Sequence, residues 1–170
     1  MYYRVSGKGM STRPGAQRGP RAKAGLEALT QSDEPPGLIG YRGATPVGWI
    51  SLGPRGDFAK LGRSPVMKPV DDRPVWSIVC FVVPSEYRRA GVARELLAGA
   101  IAYARRRGVT TLEAYPVDRE PSAAAEASWF GSKRMFDEAG FREVARRRPD
   151  RPVVRLTLRK GVAKPARVRP

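Results

Sequence analysis

The chain has 170 residues, 41% of them apolar, which is one domain's worth and enough to bury its own core. It carries one cysteine and no histidine, so an internal disulfide, the common zinc sites and a Ser-His-Asp triad each lack a required member, and no run of about twenty apolar residues is present to span a membrane. Its 32 Lys and Arg against 16 Asp and Glu give a formal charge of +16 and a pI near 11.0, an excess that attracts polyanions.

Met1 to Val5, MYYRV, is aromatic and β-prone and reads as a first strand. Ser6 to Pro20, rich in glycine and basic residues, reads as a loop. RAKAGLEALTQ, Arg21 to Gln31, forms a short helix presenting Ala22, Leu26 and Leu29, weakened by Gly25 by roughly 1 kcal/mol relative to alanine. Pro35, Pro36 and Gly37 end it. Leu38 to Leu52 holds two apolar runs around Arg42-Gly43-Ala44-Thr45, a hairpin signal. The roughly twenty residues from Gly53 to Arg73 are long for a connection in a compact domain. Phe58, Leu61, Val66 and Met67 suggest an ordered flap, a candidate wall for a substrate pocket.

The centre of the chain is Val75 to Arg107. Val75 to Val83 is almost wholly apolar and valine-rich, as in a strand covered on both faces, and Pro84 ends its ladder for want of an N–H. A polar turn, Ser85 to Arg89, leads to Gly91 and a helix whose Ala93, Leu96, Leu97, Ala100, Ile101 and Ala104 recur at three- and four-residue steps. Gly108 suits the left-handed residue after that helix. Thr111 to Val117 is the partner strand, and Asp118 to Ala127 is a polar, alanine-rich connection. Ser128 is a candidate N-cap for a helix through Ala139, with Gly140 at its end. Phe141 to Arg148 and Val153 to Leu158 close the fold as an antiparallel pair, and a basic tail with nothing to bury follows Arg159.

The first N–H groups of a helix lack intrahelical partners and, with the helix dipole, favour an anion. Arg88, Arg89, Ala90, Gly91, Val92 and Ala93 form a basic loop at such a terminus, with glycine where a phosphate must come close. They follow the pattern R-x-x-G-x-A between a buried strand and an amphipathic helix.

In these residues the sequence resembles the GNAT superfamily of N-acetyltransferases, whose acetyl-CoA signature is (Q/R)-x-x-G-x-(G/A) after the fourth strand. The hairpin with its P-V-G-W and the stretch SWFGSKRMFDEAGFREVARRR extend the likeness over most of the chain. The resemblance implies one α/β (α+β) domain over residues 1–159, with residues 160–170 a mobile basic tail. It implies a mixed, mostly antiparallel sheet of about six to seven strands, flanked by helices on both faces and splayed between Val75–Val83 and Thr111–Val117. Superfamily members usually carry more residues before their first strand, so either a start upstream of Met1 or a short terminus is expected.

By the same resemblance the protein is an enzyme that moves an acetyl group from acetyl-CoA to an amine, small molecule or protein, in a ternary complex, with no metal. Phe81, Val82 and Val83 would bond pantetheine through their backbone, an N–H near Val82 would face the thioester carbonyl, and the Arg88 to Ala93 amides would hold the pyrophosphate. A base must take a proton from an ammonium acceptor near pH 7. Glu113, which interrupts an apolar strand beside the expected cleft, is the first candidate, with a salt-bridged glutamate the competing reading; Asp71, Asp72, Glu86 and Asp118 are weaker. Family members often use a tyrosine four positions before the G-F pair as the acid, where this chain has Phe136, and an asparagine where it has Trp129. Tyr115 is then the nearest phenol. Cys80, without a histidine and in an apolar run, reads as core, as do Trp49 and Trp76 unless they line the acceptor pocket.

Two other classes stay open: a non-catalytic acyl-CoA-binding or regulatory domain, favoured by Phe136, and a basic nucleic-acid-associated protein, favoured by charge and tail. The basic residues are scattered, however, and no zinc pattern, RNA-binding aromatic motif or helix-turn-helix accompanies them. No secretory leader is visible, so cytoplasmic residence is expected. A homodimer is compatible with all of this.

Overall fold

The computed structural model describes the backbone of residues 20–119 and 129–158, and their side chains from residue 23 onward. The expected first strand, Met1 to Val5, most of the loop after it, most of the Asp118–Ala127 connection, Ser128 and the basic tail lie outside the described residues.

Helix α1, Pro20–Thr30, leads into the hairpin of β1, Gly37–Arg42, and β2, Thr45–Pro54. A short helix α2, Ala59–Gly62, lies in the flap before β3, Trp76–Val82. Helix α3, Val92–Arg106, and β4, Thr111–Ala114, follow; helix α4, Lys133–Glu138, precedes β5, Arg142–Arg146, and β6, Pro152–Thr157. The six strands form one sheet in the order β1-β2-β3-β4-β6-β5. All pairings are antiparallel except that of β3 with β4. This is the mixed, mostly antiparallel architecture expected from the sequence.

Each face of the sheet has its own core. On one, Leu96, Leu97, Ala100, Ile101 and Ala104 of α3 pack with Met135 and Phe136 of α4 on Ile50, Leu52, Ile78, Leu112 and Val154. The apolar stripe read from the three- and four-residue spacing is this face of α3. Gly40 and Gly48 are cross-strand partners beneath it, and a Cβ on Gly48 would stand 3.0 Å from both Leu96 and Val92, so the helix sits close because those side chains are missing. On the other face the flap contributes Phe58 and Leu61, which pack with Val79, Tyr115 and Val153.

The parallel pairing of β3 and β4 covers only Trp76 to Ile78 against Leu112 to Ala114. Two local features end it. On β3 the register slips between Ser51 and Leu52, leaving Val79 as an extra residue, so Val79 and Cys80 turn to the flap face while Ile78 and Phe81 turn to α3. On β4, Pro116 has no N–H to continue the ladder, so the strand stops at Ala114 rather than reaching Val117. The strands therefore diverge where the sequence places the splay.

The flap is ordered, as its apolar residues suggest. Arg147 donates to the carbonyls of Val66, Lys68 and Pro69 at 3.1, 2.7 and 2.9 Å, and Arg155 grips Asp71 through two bonds of 2.7 and 2.9 Å. Among the described residues no helix is long and apolar enough to cross a membrane.

Candidate active site

A cleft of about 350 Å³ opens where β3 and β4 part. Val83 and, from the sequence motif, Arg88, Arg89, Gly91, Val92 and Ala93 line it, together with Val117, Arg119, Gly131, Ser132 and Met135. The turn has an unusual backbone. Arg89 takes φ 61°, a left-handed conformation that non-glycine residues seldom adopt, and Gly91 takes φ 81°. Gly91 begins α3 without a side-chain cap, and the first intrahelical bonds are those of the Arg94 and Glu95 N–H to Gly91 O at 2.9 and 3.1 Å. The amides before Arg94 thus have no intrahelical acceptor, and a ligand anion meets both them and the positive end of the helix dipole. A Cβ on Gly91, which lines the cleft, would meet nothing nearer than Glu95 Oε1 at 3.9 Å, so the turn leaves open space beside it.

The turn is braced from behind. Arg42 donates to Ala90 O at 3.0 Å, and the Arg88 side chain donates to Val83 O at 3.2 Å. At the mouth, Arg94 pairs with Glu138 at 2.9 Å, and Arg119 pairs with Asp150. The guanidiniums of Arg134 and Arg94 lower the pKa of Glu138. The Arg88 N–H departs from the expected set, since it donates to Ser85 O at 3.2 Å; the rest of the turn fits a pyrophosphate, with a basic rim, first-turn amides without an intrahelical acceptor and room for close approach.

Deeper in the splay, residues 129–132 run between the strands. Phe81 N–H donates to Trp129 O at 2.6 Å, Val117 N–H to Gly131 O at 3.0 Å and Lys133 N–H to Val117 O at 2.9 Å. The Phe81 amide, one of the three strand positions expected to bond pantetheine, is held by the chain itself. Backbone groups alternate in direction along a strand, so Val83 shares the cleft side with Phe81 while Val82 faces β2. In agreement, Val82 O lies 3.2 Å from where a Gly48 Cβ would stand. The expected N–H near Val82 therefore belongs to the β2–β3 ladder. Helix α4 begins later than Ser128 because these residues serve the wedge; its N-cap is Ser132, whose hydroxyl accepts from Met135 N–H at 3.4 Å.

Glu113 and Tyr115, the two residues nominated for proton transfer, are brought together, but on the flap face and away from the cleft. Alternation along β4 sends Leu112 and Ala114 towards α3 and Glu113 and Tyr115 the other way. Glu113 is fully buried, pairs with Arg55 through Oε1, and accepts from Arg155 Nε through Oε2 at 2.8 Å. The Tyr115 hydroxyl donates to Glu113 at 2.6 Å, accepts from Arg55 at 2.5 Å and lies 2.9 Å from Ser77 Oγ. Burial, then the neighbouring Glu113 charge, pushes the phenol pKa far up. This is the salt-bridged reading of Glu113: an ion network that ties β4 and β6 to the flap. Neither residue lines the cleft.

Phe136 is fully buried, edge-on to Phe81 and Phe141 with centroids 6.1 and 5.0 Å away. It is core, as its missing hydroxyl suggests. Cys80 lies against the flap-face core, and burial raises its pKa. The flap supplies no lining residue to the cleft. Tyr87, Arg94, Val117, Arg119, Gly131, Ser132 and Met135 line it without having been singled out. Arg94 continues the helical motif by one residue and Tyr87 precedes it, so both were within reach; the other five come from distant segments with no shared local pattern.

A model of the acetyltransferase (GNAT) family matches residues 11–131. Among solved structures the chain resembles a ribosomal-protein-alanine N-acetyltransferase from Brucella melitensis, at 23% identity over 81% of this chain and 77% of that chain with a TM-score of 0.52. It also resembles an N-acetyltransferase from Staphylococcus aureus Mu50, at 17% identity over 81% of this chain and 75% of that chain with a TM-score of 0.50. At these identities the likeness speaks for the fold. No curated protein sequence matches the chain significantly. The sheet, its splay, the turn from Arg88 to Ala93 and the family match agree: the chain belongs to the acetyltransferase (GNAT) family of acyltransferases.

Proposed function

We propose that the protein transfers an acetyl group from acetyl-CoA to an amine, both substrates being held at once. The observation that carries this reading is the uncapped start of α3, where left-handed Arg89 and Gly91 turn the backbone beside a cleft between splayed strands. The amides from Arg89 to Ala93 hold the pyrophosphate, and Arg89, Arg94 and Arg119 surround its charge. Val83 offers its backbone to the pantetheine arm. Bound acetyl-CoA supplies the thioester: the amine nitrogen bonds to its carbonyl carbon, the C–S bond breaks, and the proton shed by nitrogen neutralises the departing thiolate.

Among the described residues lining the cleft there is no carboxylate. In this reading water takes the acceptor's proton, and Tyr87 and Ser132 are the hydroxyl-bearing side chains among the described lining residues. Positioning of the two substrates is the chain's main contribution, a contribution that reaches about 7–11 kcal/mol in well-oriented systems.

Substitution Gly91→Glu tests the reading. It places a side chain and a negative charge where the phosphates belong, and is expected to abolish CoA binding by calorimetry. The left-handed φ adds a folding cost of roughly 1–2 kcal/mol, small enough for circular dichroism to show a folded protein. Unchanged affinity would remove the turn from the mechanism.

A further inference from the structure

On the sheet face opposite α3, a groove of about 700 Å³ runs between α1 and the ends of β1, β2 and β3. Gly40 and Gly48 face the helix, so their strand neighbours Ile39 and Trp49 face the groove, joined by Leu26, Tyr41, Val82 and Pro84. Ile39, Tyr41 and Val82 are 56%, 59% and 47% exposed, unusually open for large apolar side chains placed side by side. None of the described residues lining the groove carries a formal charge, in a chain whose net charge is +16. The groove adjoins the cleft: Val82 and Pro84 line the groove, while Val83 between them lines the cleft.

We infer that this groove is the acceptor site and that it selects a small primary amine with an aromatic or aliphatic body. The inference rests on the acetyl-transfer reading above and names its substrate class. A polyamine or aminoglycoside would bring several cations to a surface without a carboxylate, inside a strongly positive molecule. A peptide would bury backbone amides against a wall with few polar partners. An apolar amine fills the groove with its body and directs its nitrogen past the end of β3. There the nitrogen gives its proton to water and attacks the thioester as the neutral amine.

The experiment has two arms. In the first, 2-phenylethylamine is titrated into the full chain without acetyl-CoA and Trp49 fluorescence is followed, with Trp49→Phe as the control; a saturable change that the control lacks is expected. In the second, acetyl-CoA binding is confirmed by calorimetry, and thiol release is then measured with 2-phenylethylamine, hexylamine, spermidine, tobramycin and a short peptide with a free N-terminus. The two apolar amines are expected to exceed the others in kcat/KM by about 100-fold, within the range a pocket achieves by fit. Ile39→Glu is expected to raise their KM about tenfold with acetyl-CoA affinity unchanged, and Ile39→Leu to restore it. If acetyl-CoA binds but spermidine, tobramycin or the peptide is the better acceptor, or Ile39→Glu leaves KM alone, the groove assignment falls and acetyl transfer stands. If acetyl-CoA does not bind, both fall together.

Discussion

Arg55, Arg155 and the Tyr115 hydroxyl hold the Glu113 carboxylate, which has no exposed surface. Removing its charge leaves the largely buried Arg55 guanidinium without its carboxylate partner and Arg155 with Asp71 alone. Glu113→Gln is therefore expected to cost about 3–5 kcal/mol in urea unfolding. The shape of the pH–rate profile should not change, since Glu113 touches no part of the cleft; a lost acidic limb would return it to the mechanism. Phe136 makes the complementary case. A hydroxyl added by Phe136→Tyr enters a fully buried ring cluster, and is expected to cost about 1–3 kcal/mol in thermal denaturation with no gain in turnover. At this scale the turn from Arg88 to Ala93 and its place at a helix start beside a cleft were legible, because a glycine and arginines at a helix start act through neighbouring backbone. The placement of Glu113 and Tyr115 away from the cleft was not, because residue type says nothing about which side of a strand meets the cleft.

The flap from Gly53 to Arg73 is an element held by side chains rather than by a ladder. Its grip on β6 depends on the ionisation of Asp71, whose pKa falls from 3.8 to about 2, chiefly through the Arg155 hydrogen bond. A folded-state pKa below the unfolded one stabilises above the unfolded value, and that stabilisation is lost as pH falls towards 2. Limited proteolysis within residues 64–70 is thus expected to be slow at pH 5 and to quicken below pH 4, with Asp71→Asn cut readily at both. Equal cutting at pH 5 and pH 2.5 in the parent would break this link. The hairpin, the two helix-ending glycines and the closing strand pair follow from local turn chemistry and were readable. Two boundaries were not: β4 stops short because of Pro116, and α4 starts at Ser132 because residues 129–132 bond to β3 and to Val117. The second reason is a long-range contact, invisible to a local cap signal.

For the molecule as a whole, the charge of +16 bears on encounter more than on chemistry. If the basic rim steers CoA, its association rate is expected to fall several-fold between 20 mM and 200 mM salt in stopped-flow binding, while kcat at saturation stays level. A salt-independent rate would leave the excess charge a matter of solubility. The sequence by itself determined the strand–turn–helix unit, the glycine turn at the start of its helix and the order of most elements, because each rests on periodicity or on backbone preferences within a few residues. Only the tertiary structure decided that Glu113 and Tyr115 serve an ion network, that Trp129 holds the Phe81 amide, and that an uncharged groove adjoins the cleft. Those facts depend on which faces of separate strands meet, and that is set by burial summed over the whole sheet.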